Sequence, residues 1–257
     1  MSPLAVAAAA AVLAGAALQS SVGFGFALVA APLLFAATSP AEAVGTMVLL
    51  GLEISLLTLL TERRRPEPVW RDVVAVVGWS LPGALLGVAV LRALDDLALQ
   101  LLVTAGVLIA LAVNLRAMHR PAPRPGAAGH EPPRWARPAA GVTSGALNTS
   151  TSTGGPPVVL LLMARDLRPG VVRDTLTTTF AGLAVVSAMA LALTSTGDAV
   201  PDAAALAALV PLTALGQLAG RPLFARLSAG RGYERVLTGV LLASVTAGLL
   251  GVLLSGG

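Results

Sequence analysis

The sequence has no cysteine and no lysine, and it is poor in aromatic residues (4%) and in charged ones (12%). Without cysteine, disulfides, thiolate catalysis and cysteine-ligated metal sites are all excluded. With so few aromatic residues, the girdles that edge a transmembrane β-barrel lack material. The charged fraction is roughly half the ~25% of a soluble domain. What fills the chain is Ala, Leu, Val and Gly: 56% of its 257 residues are hydrophobic, and the mean hydropathy is +0.83. The bilayer is the solvent for such a composition, and its small residues suit helices that approach one another closely. An all-α integral membrane protein is expected.

The isoelectric point of about 11.1 would fit a nucleic-acid binder. The basic residues are all Arg, however, and they gather in the short segments between apolar runs. That is a topology signal, so no nucleic-acid partner is expected.

Runs long enough to cross about 30 Å of hydrocarbon lie near 43–61, 72–91, 97–114, 174–194, 203–220 and 236–254. Two further apolar stretches, 3–37 and 139–163, are interrupted, the first by Gln19-Ser20-Ser21-Val22-Gly23-Phe24-Gly25 and the second by the run from Asn148 to Pro157. Gly, Pro and hydroxyl side chains that compete for backbone hydrogen bonds make both interruptions poor helix interiors. The first stretch has the length and alanine content of a signal peptide, but no Lys or Arg precedes it, and retention is expected.

Arg63, Arg64, Arg65 and Arg71 fill one connection; Arg116, Arg120, Arg124, Arg134 and Arg137 fill the longest. Arg165, Arg168 and Arg173 mark a third, and Arg226, Arg231 and Arg235 a fourth. Acidic residues (Glu42, Asp95, Asp96, Asp198, Asp202) mark the alternate connections. All four Arg-rich segments reach the cytoplasm only if each interrupted stretch enters and leaves on one side, as a V of two short helices. Both termini then lie outside an inner (cytoplasmic) membrane. The organisation expected is a first membrane repeat over 1–114, a Pro- and Arg-rich cytoplasmic linker over 115–138, and a second repeat over 139–257.

An offset of 130 places Gly15 on Gly145, Ser20 on Ser150, Ser21 on Thr151 and Gly25 on Gly155; an offset of 129 places Pro82 on Pro211, Gly87 on Gly216 and Arg92 on Arg221. Each half then reads as a broken helix pair followed by three crossings, an odd number, so the halves insert with opposite orientation. Inverted repeats of this kind are common in secondary transporters, whose discontinuous helices meet near the midplane and supply the binding site.

The segment from Gly23 to Leu34, Gly-Phe-Gly-Phe-Ala-Leu-Val-Ala-Ala-Pro-Leu-Leu, resembles the first Gly-rich motif of the sulfite exporter TauE/SafE family of membrane permeases. Thr153-Gly154-Gly155-Pro156-Pro157-Val158-Val159-Leu160 resembles its second copy, with support from Ala43-Val44-Gly45-Thr46 and from the segment Pro82 to Gly87. The resemblance spans both halves and implies transport of sulfite, organosulfonates or related small anions, coupled to an ion gradient. Two departures stand out: Phe24 and Phe26 where an unbroken Gly run is common, and Ser152, Thr153 and two prolines in the second copy.

At an intramembrane break the freed N–H groups and the positive end of the helix dipole favour an anion. Gly23, Gly25, Gly154 and Gly155 would let the backbone approach it, and Ser20, Ser21, Asn148, Thr149, Ser150 and Thr151 would donate to its oxygens. The alternative for each hydroxyl is to cap the broken helices and hold neighbours together. Glu53 sits mid-crossing, where a carboxylate costs about 2.5 kcal/mol or more, and is a candidate proton carrier or a protonated structural group. Arg92 and Arg221 read as snorkelling anchors, while Thr175, Thr177, Thr178, Thr179 and Gln217 would line a path or bond across helices. No cofactor and no metal is expected. The other readings are an anion channel, since broken helices also build filters, and an intramembrane hydrolase at Thr143-Ser144-Gly145. The hydrolase lacks a base, because His119 and His130 both fall in the linker.

Overall fold

The computed structural model describes residues 3–62, 64–118, 131–163, 165, 167–194 and 199–227. The expected crossing at 236–254, Arg63, Arg231, Arg235, Asp198 and both histidines lie outside the described residues. Within them every regular element is a helix: α1 (Pro3–Val22), α2 (Phe26–Ala37), α3 (Pro40–Thr61), α4 (Trp70–Ala93), α5 (Asp96–Met118), α6 (Ala136–Thr151), α7 (Gly155–Met163), α8 (Pro169–Thr194) and α9 (Ala203–Leu227). Segments of α1, α3, α4, α8 and α9 are long and apolar enough to cross a membrane.

Both interrupted stretches are helix pairs, α1–α2 and α6–α7. Their arms are unequal. At 1.5 Å per residue, the 20-residue α1 is about 30 Å long and could cross a bilayer alone, whereas α2 with 12 residues and α7 with 9 are short. The expectation of two short arms thus fails for α1, which continues through Gly15 and through Gln19-Ser20-Ser21 and stops only at Val22. Helices also reach past the expected linker bounds, α5 to Met118 and α6 back to Ala136.

Helix starts follow local chemistry. Pro40 opens α3 behind a Ser39 cap that accepts the Glu42 N–H at 3.3 Å, a Ser-x-x-Glu start with proline at the first turn. Pro169 likewise is the first residue of α8. Val22 and Thr151 end α1 and α6, Phe26 and Gly155 begin α2 and α7, and Pro40 and Pro169 begin α3 and α8, each pair 129 apart. The helix boundaries therefore place the breaks at the offset already found for Pro82 and Pro211, not at 130.

The first and second halves of the chain interlock. α3 and α8 run antiparallel: Glu62, just past the end of α3, pairs with Arg173 in the first turns of α8, while near the start of α3 Gly45 lies against the Ala199 carbonyl beyond α8. α4 and α6 run parallel and touch backbone to backbone, Gly83 on the Val142 carbonyl, Gly87 on the Ala146 carbonyl and, in return, Gly145 on the Ser80 carbonyl. α1 and α9 do the same through Gly216 on the Leu13 carbonyl and Gly220 on the Ala17 carbonyl. Gly83/Gly87, Gly141/Gly145 and Gly216/Gly220 are all Gly-x-x-x-Gly pairs, the spacing that puts two missing side chains on one helix face.

Candidate functional site

The two breaks meet. Gln19, Phe24, Gly25, Phe26, Ala27 and Leu28 from the first, and Asn148, Ser152, Thr153 and Gly155 from the second, line one cavity of about 50 Å³. That volume is several times what a single water needs. Its remaining walls are Met47, Val48 and Gly51 of α3 and Phe180 and Ala184 of α8, all near the middle of those helices. The cavity therefore lies level with the middles of α3 and α8, two of the helices long and apolar enough to cross a membrane.

The first break ends α1 with Gly23 in the left-handed region (φ 89°), its N–H bonded to the Gln19 carbonyl at 2.6 Å, and starts α2 from Gly25 (φ 112°). A side chain at 25 would be strained by that φ and would meet Leu18 at 2.9 Å. The first N–H groups of α2, on Phe26, Ala27 and Leu28, lack intrahelical acceptors, and all three residues line the cavity. The second break ends α6 with Ser152 (φ 56°), whose N–H bonds the Asn148 carbonyl at 3.1 Å. Its following helix begins Gly155-Pro156-Pro157, so two of the first three residues of α7 have no N–H to offer. The polar side chains on this side are already bonded: Asn148 to Ser187, Ser152 to the Val44 carbonyl at 3.5 Å and Thr153 to Thr151 at 2.7 Å.

Among the residues singled out from sequence, Gly25, Asn148 and Gly155 line the cavity. Gly23 packs on the Arg173 backbone, and Gly154 on the Ser144 carbonyl and the Asn148 side chain. The hydroxyls are mostly engaged elsewhere. Ser20 and Ser21 bond the Ala17 carbonyl, with Ser21 also 2.8 Å from the Gly220 carbonyl. Ser150 bonds the Ala146 carbonyl, Thr151 the Leu147 carbonyl and Thr153, and Thr149 meets Ser187 at 2.8 Å. Asn148 also donates to Ser187, at 2.8 Å. Gln19, Ser152 and Thr153 lay within the breaks read from sequence, and Phe24 and Phe26 flank Gly25; Phe180 had no local signal.

Glu53 is away from the cavity, on the side of α3 that faces α9, where the Thr213 hydroxyl is 2.5 Å from its Oε2. Gln217 donates to Thr61 at 3.3 Å, and the Val69 N–H to Thr175 at 3.0 Å. Thr179 is buried with no partner among the described residues.

Three of the Arg-rich segments converge at one end of the helices. Buried Asp72 of α4 holds Arg137 at 2.7 Å and also Arg165. Asp174 of α8 takes both Arg64 nitrogens at 2.7 Å and the Glu67 N–H at 2.8 Å. These bonds hold the Arg64 pKa above its ordinary value, against the opposing effect of partial burial. Arg173 pairs with Glu62 and donates twice to the Ser20 carbonyl, at 2.6 and 3.0 Å.

A bundle of membrane-length apolar helices, two of its helices broken on a buried cavity, is a polytopic membrane protein. The model of the sulfite exporter TauE/SafE family matches residues 7–249, and the chain belongs to that family of membrane transporters. Neither the curated proteins nor the solved structures give a match.

Proposed function

We propose that the protein is a secondary transporter carrying a small anion with a sulfite or sulfonate group across the cytoplasmic membrane, through the cavity between the two breaks. The observation that carries this reading is the meeting of both breaks on one mid-depth cavity, with the start of α2 aimed into it. Acceptor oxygens on such an anion would match backbone donors on one side and the second Asn148 N–H on the other, with Ser152 and Thr153 turning from Val44 and Thr151 to join it. Residues 1–114 and 139–257 form an inverted repeat in this proposal. Its support is that α3 and its counterpart α8 run antiparallel, and that the pairs α4–α6 and α9–α1 exchange into one another when the halves are swapped. The convergence of Arg64, Arg137, Arg165 and Arg173 at one end supports a cytoplasmic face there and both termini outside.

Coupling is assigned to Glu53. Thr213 has one hydroxyl proton, yet its oxygen lies 2.5 Å from Glu53 and 2.7 Å from the Val210 carbonyl. A protonated Glu53 would donate to Thr213 and leave that proton for Val210; an ionised one competes for it. The test is flux of labelled sulfite and methanesulfonate in proteoliposomes. Saturation with counterflow is expected, and linear, non-saturating flux would mean a channel. Glu53→Gln should keep exchange and lose accumulation driven by a pH gradient; unchanged accumulation rejects the coupling role.

A further inference from the structure

We propose that Gln19 and Asn148 are a matched pair of anion-contacting residues, one carboxamide from each half of the chain, and that together they set the affinity of the cavity. The pairing stands on the geometry of the two breaks; the anion as its occupant rests on the function proposed above.

From their closing residues onward the two breaks differ, but one turn earlier they match. Gln19 and Asn148 are 129 apart, the offset of the helix boundaries, and both line the cavity. Each backbone carbonyl accepts the N–H of the residue that closes its helix, Gly23 on Gln19 at 2.6 Å and Ser152 on Asn148 at 3.1 Å. Each side-chain amide reaches a serine on the first long helix after its break: Asn148 donates to Ser187 of α8 at 2.8 Å, and Gln19 Nε2 lies 3.5 Å from the Ser55 hydroxyl of α3. The offset of 130 hides this pair, since it sets Gln19 against Thr149.

An amide nitrogen carries two hydrogens, and the serine takes one of them. The second N–H of each residue is not taken by any acceptor among the described residues. The Gln19 contact is itself at the outer limit of a hydrogen bond, so its side chain is held loosely where that of Asn148 is held firmly.

Position gives those N–H groups a task. α1 and α6 both end beside the cavity, and a helix ends in its negative pole, with last-turn carbonyls that no intrahelical N–H can reach. Bare backbone at two such ends would repel an anion. A carboxamide on each last turn sets a donor among those carbonyls. Among the described residues no Arg, Asp or Glu lines the cavity, so uncharged dipoles carry the binding there. With no fixed cation in the lining, each N–H given to the anion is a large share of the affinity.

Met keeps the reach of Gln19 and Leu the shape of Asn148, both without the amide. Purified protein in phosphatidylcholine nanodiscs, kept free of oxygen, is titrated with radiolabelled sulfite, and unlabelled methanesulfonate is the competitor. Gln19→Met and Asn148→Leu should each weaken saturable binding roughly tenfold or more, the effect of one hydrogen bond to a charged group. Ser55→Ala removes the neighbour of Gln19 and keeps its amide; it should bind within about twofold of the wild type, since a contact this long contributes little. Wild-type binding by either carboxamide variant overturns the pair. So does a loss in Ser55→Ala equal to that in Gln19→Met, which would make Gln19 a brace between α1 and α3. A wild type that binds neither anion overturns the proposal as well. Should Asn148→Leu not fold, because Asn148 also holds α8, the comparison of Gln19→Met with Ser55→Ala still decides. If the carboxamide variants lose binding as expected while wild-type proteoliposomes show no flux of sulfite or methanesulfonate, the pair stands and the transport reading falls.

Discussion

Gly23 and Ser152 occupy corresponding positions, each closing its helix in the left-handed region with an N–H bonded four residues back, yet one is glycine and the other serine. Three residues on, at Phe26 and Gly155, the contrast reverses: α2 starts with donors on successive residues, whereas α7 follows its first residue with two prolines. Serine in that region costs about 1–2 kcal/mol that glycine does not, and at 152 it brings a hydroxyl to the cavity wall. The first break therefore presents backbone donors and the second presents side chains. On the proposed function, breaks that look like copies divide the recognition of one anion between two kinds of donor.

The largest effect is expected at Gly25. Gly25→Ala adds a side chain at φ 112° and 2.9 Å from Leu18, so it should lower stability by about 1–3 kcal/mol and abolish flux. Wild-type flux in this variant would show that the first break is not the backbone-donor side. Next comes Pro156→Ala, which gives α7 an N–H its counterpart already has. If α7 faces the anion, KM should fall about threefold to tenfold, the effect of one added bond to a charged group. An unchanged KM would leave α2 as the sole donor terminus. The smallest effect belongs to Gly155→Ala. There the added carbon would sit in ordinary contact, 3.6 Å from Phe180 and 3.7 Å from Phe24. Unfolding should match the wild type within about 0.5 kcal/mol, while bulkier sulfonates lose flux relative to sulfite. Equal loss for all substrates would mean that the gap between the two phenyl rings does not set size.

The breaks were legible because Gly, Pro and clustered hydroxyls stand out in apolar helices, and the helix order followed from the runs between the Arg-rich connections. Which hydroxyls face the cavity was not legible. Ser20 and Ser150 turn back to carbonyls of their own helices, while Ser152 and Thr153, residues of the same types, line the cavity with hydroxyls bonded to the Val44 carbonyl and to Thr151. In helices apolar on every side, no amphipathic stripe marks the inward face. The offset of 130 rested partly on Gly15 and Gly145, glycines with different tasks: Gly15 clears the Phe26 carbonyl inside the first pair, and Gly145 clears the Ser80 carbonyl of α4. In a glycine-rich chain, a matched glycine identifies a close approach but not its partner.

The glycine seams also constrain how the molecule is made. α4 and α1 find their backbone-close partners, α6 and α9, only in the second half of the chain. A ribosome that has released residues 1–118 has delivered helices whose notched faces still meet lipid. Those faces close only after α6, and later α9, have been inserted, so the first half waits in the bilayer as an incomplete template. Its final packing is set by helices synthesised after it.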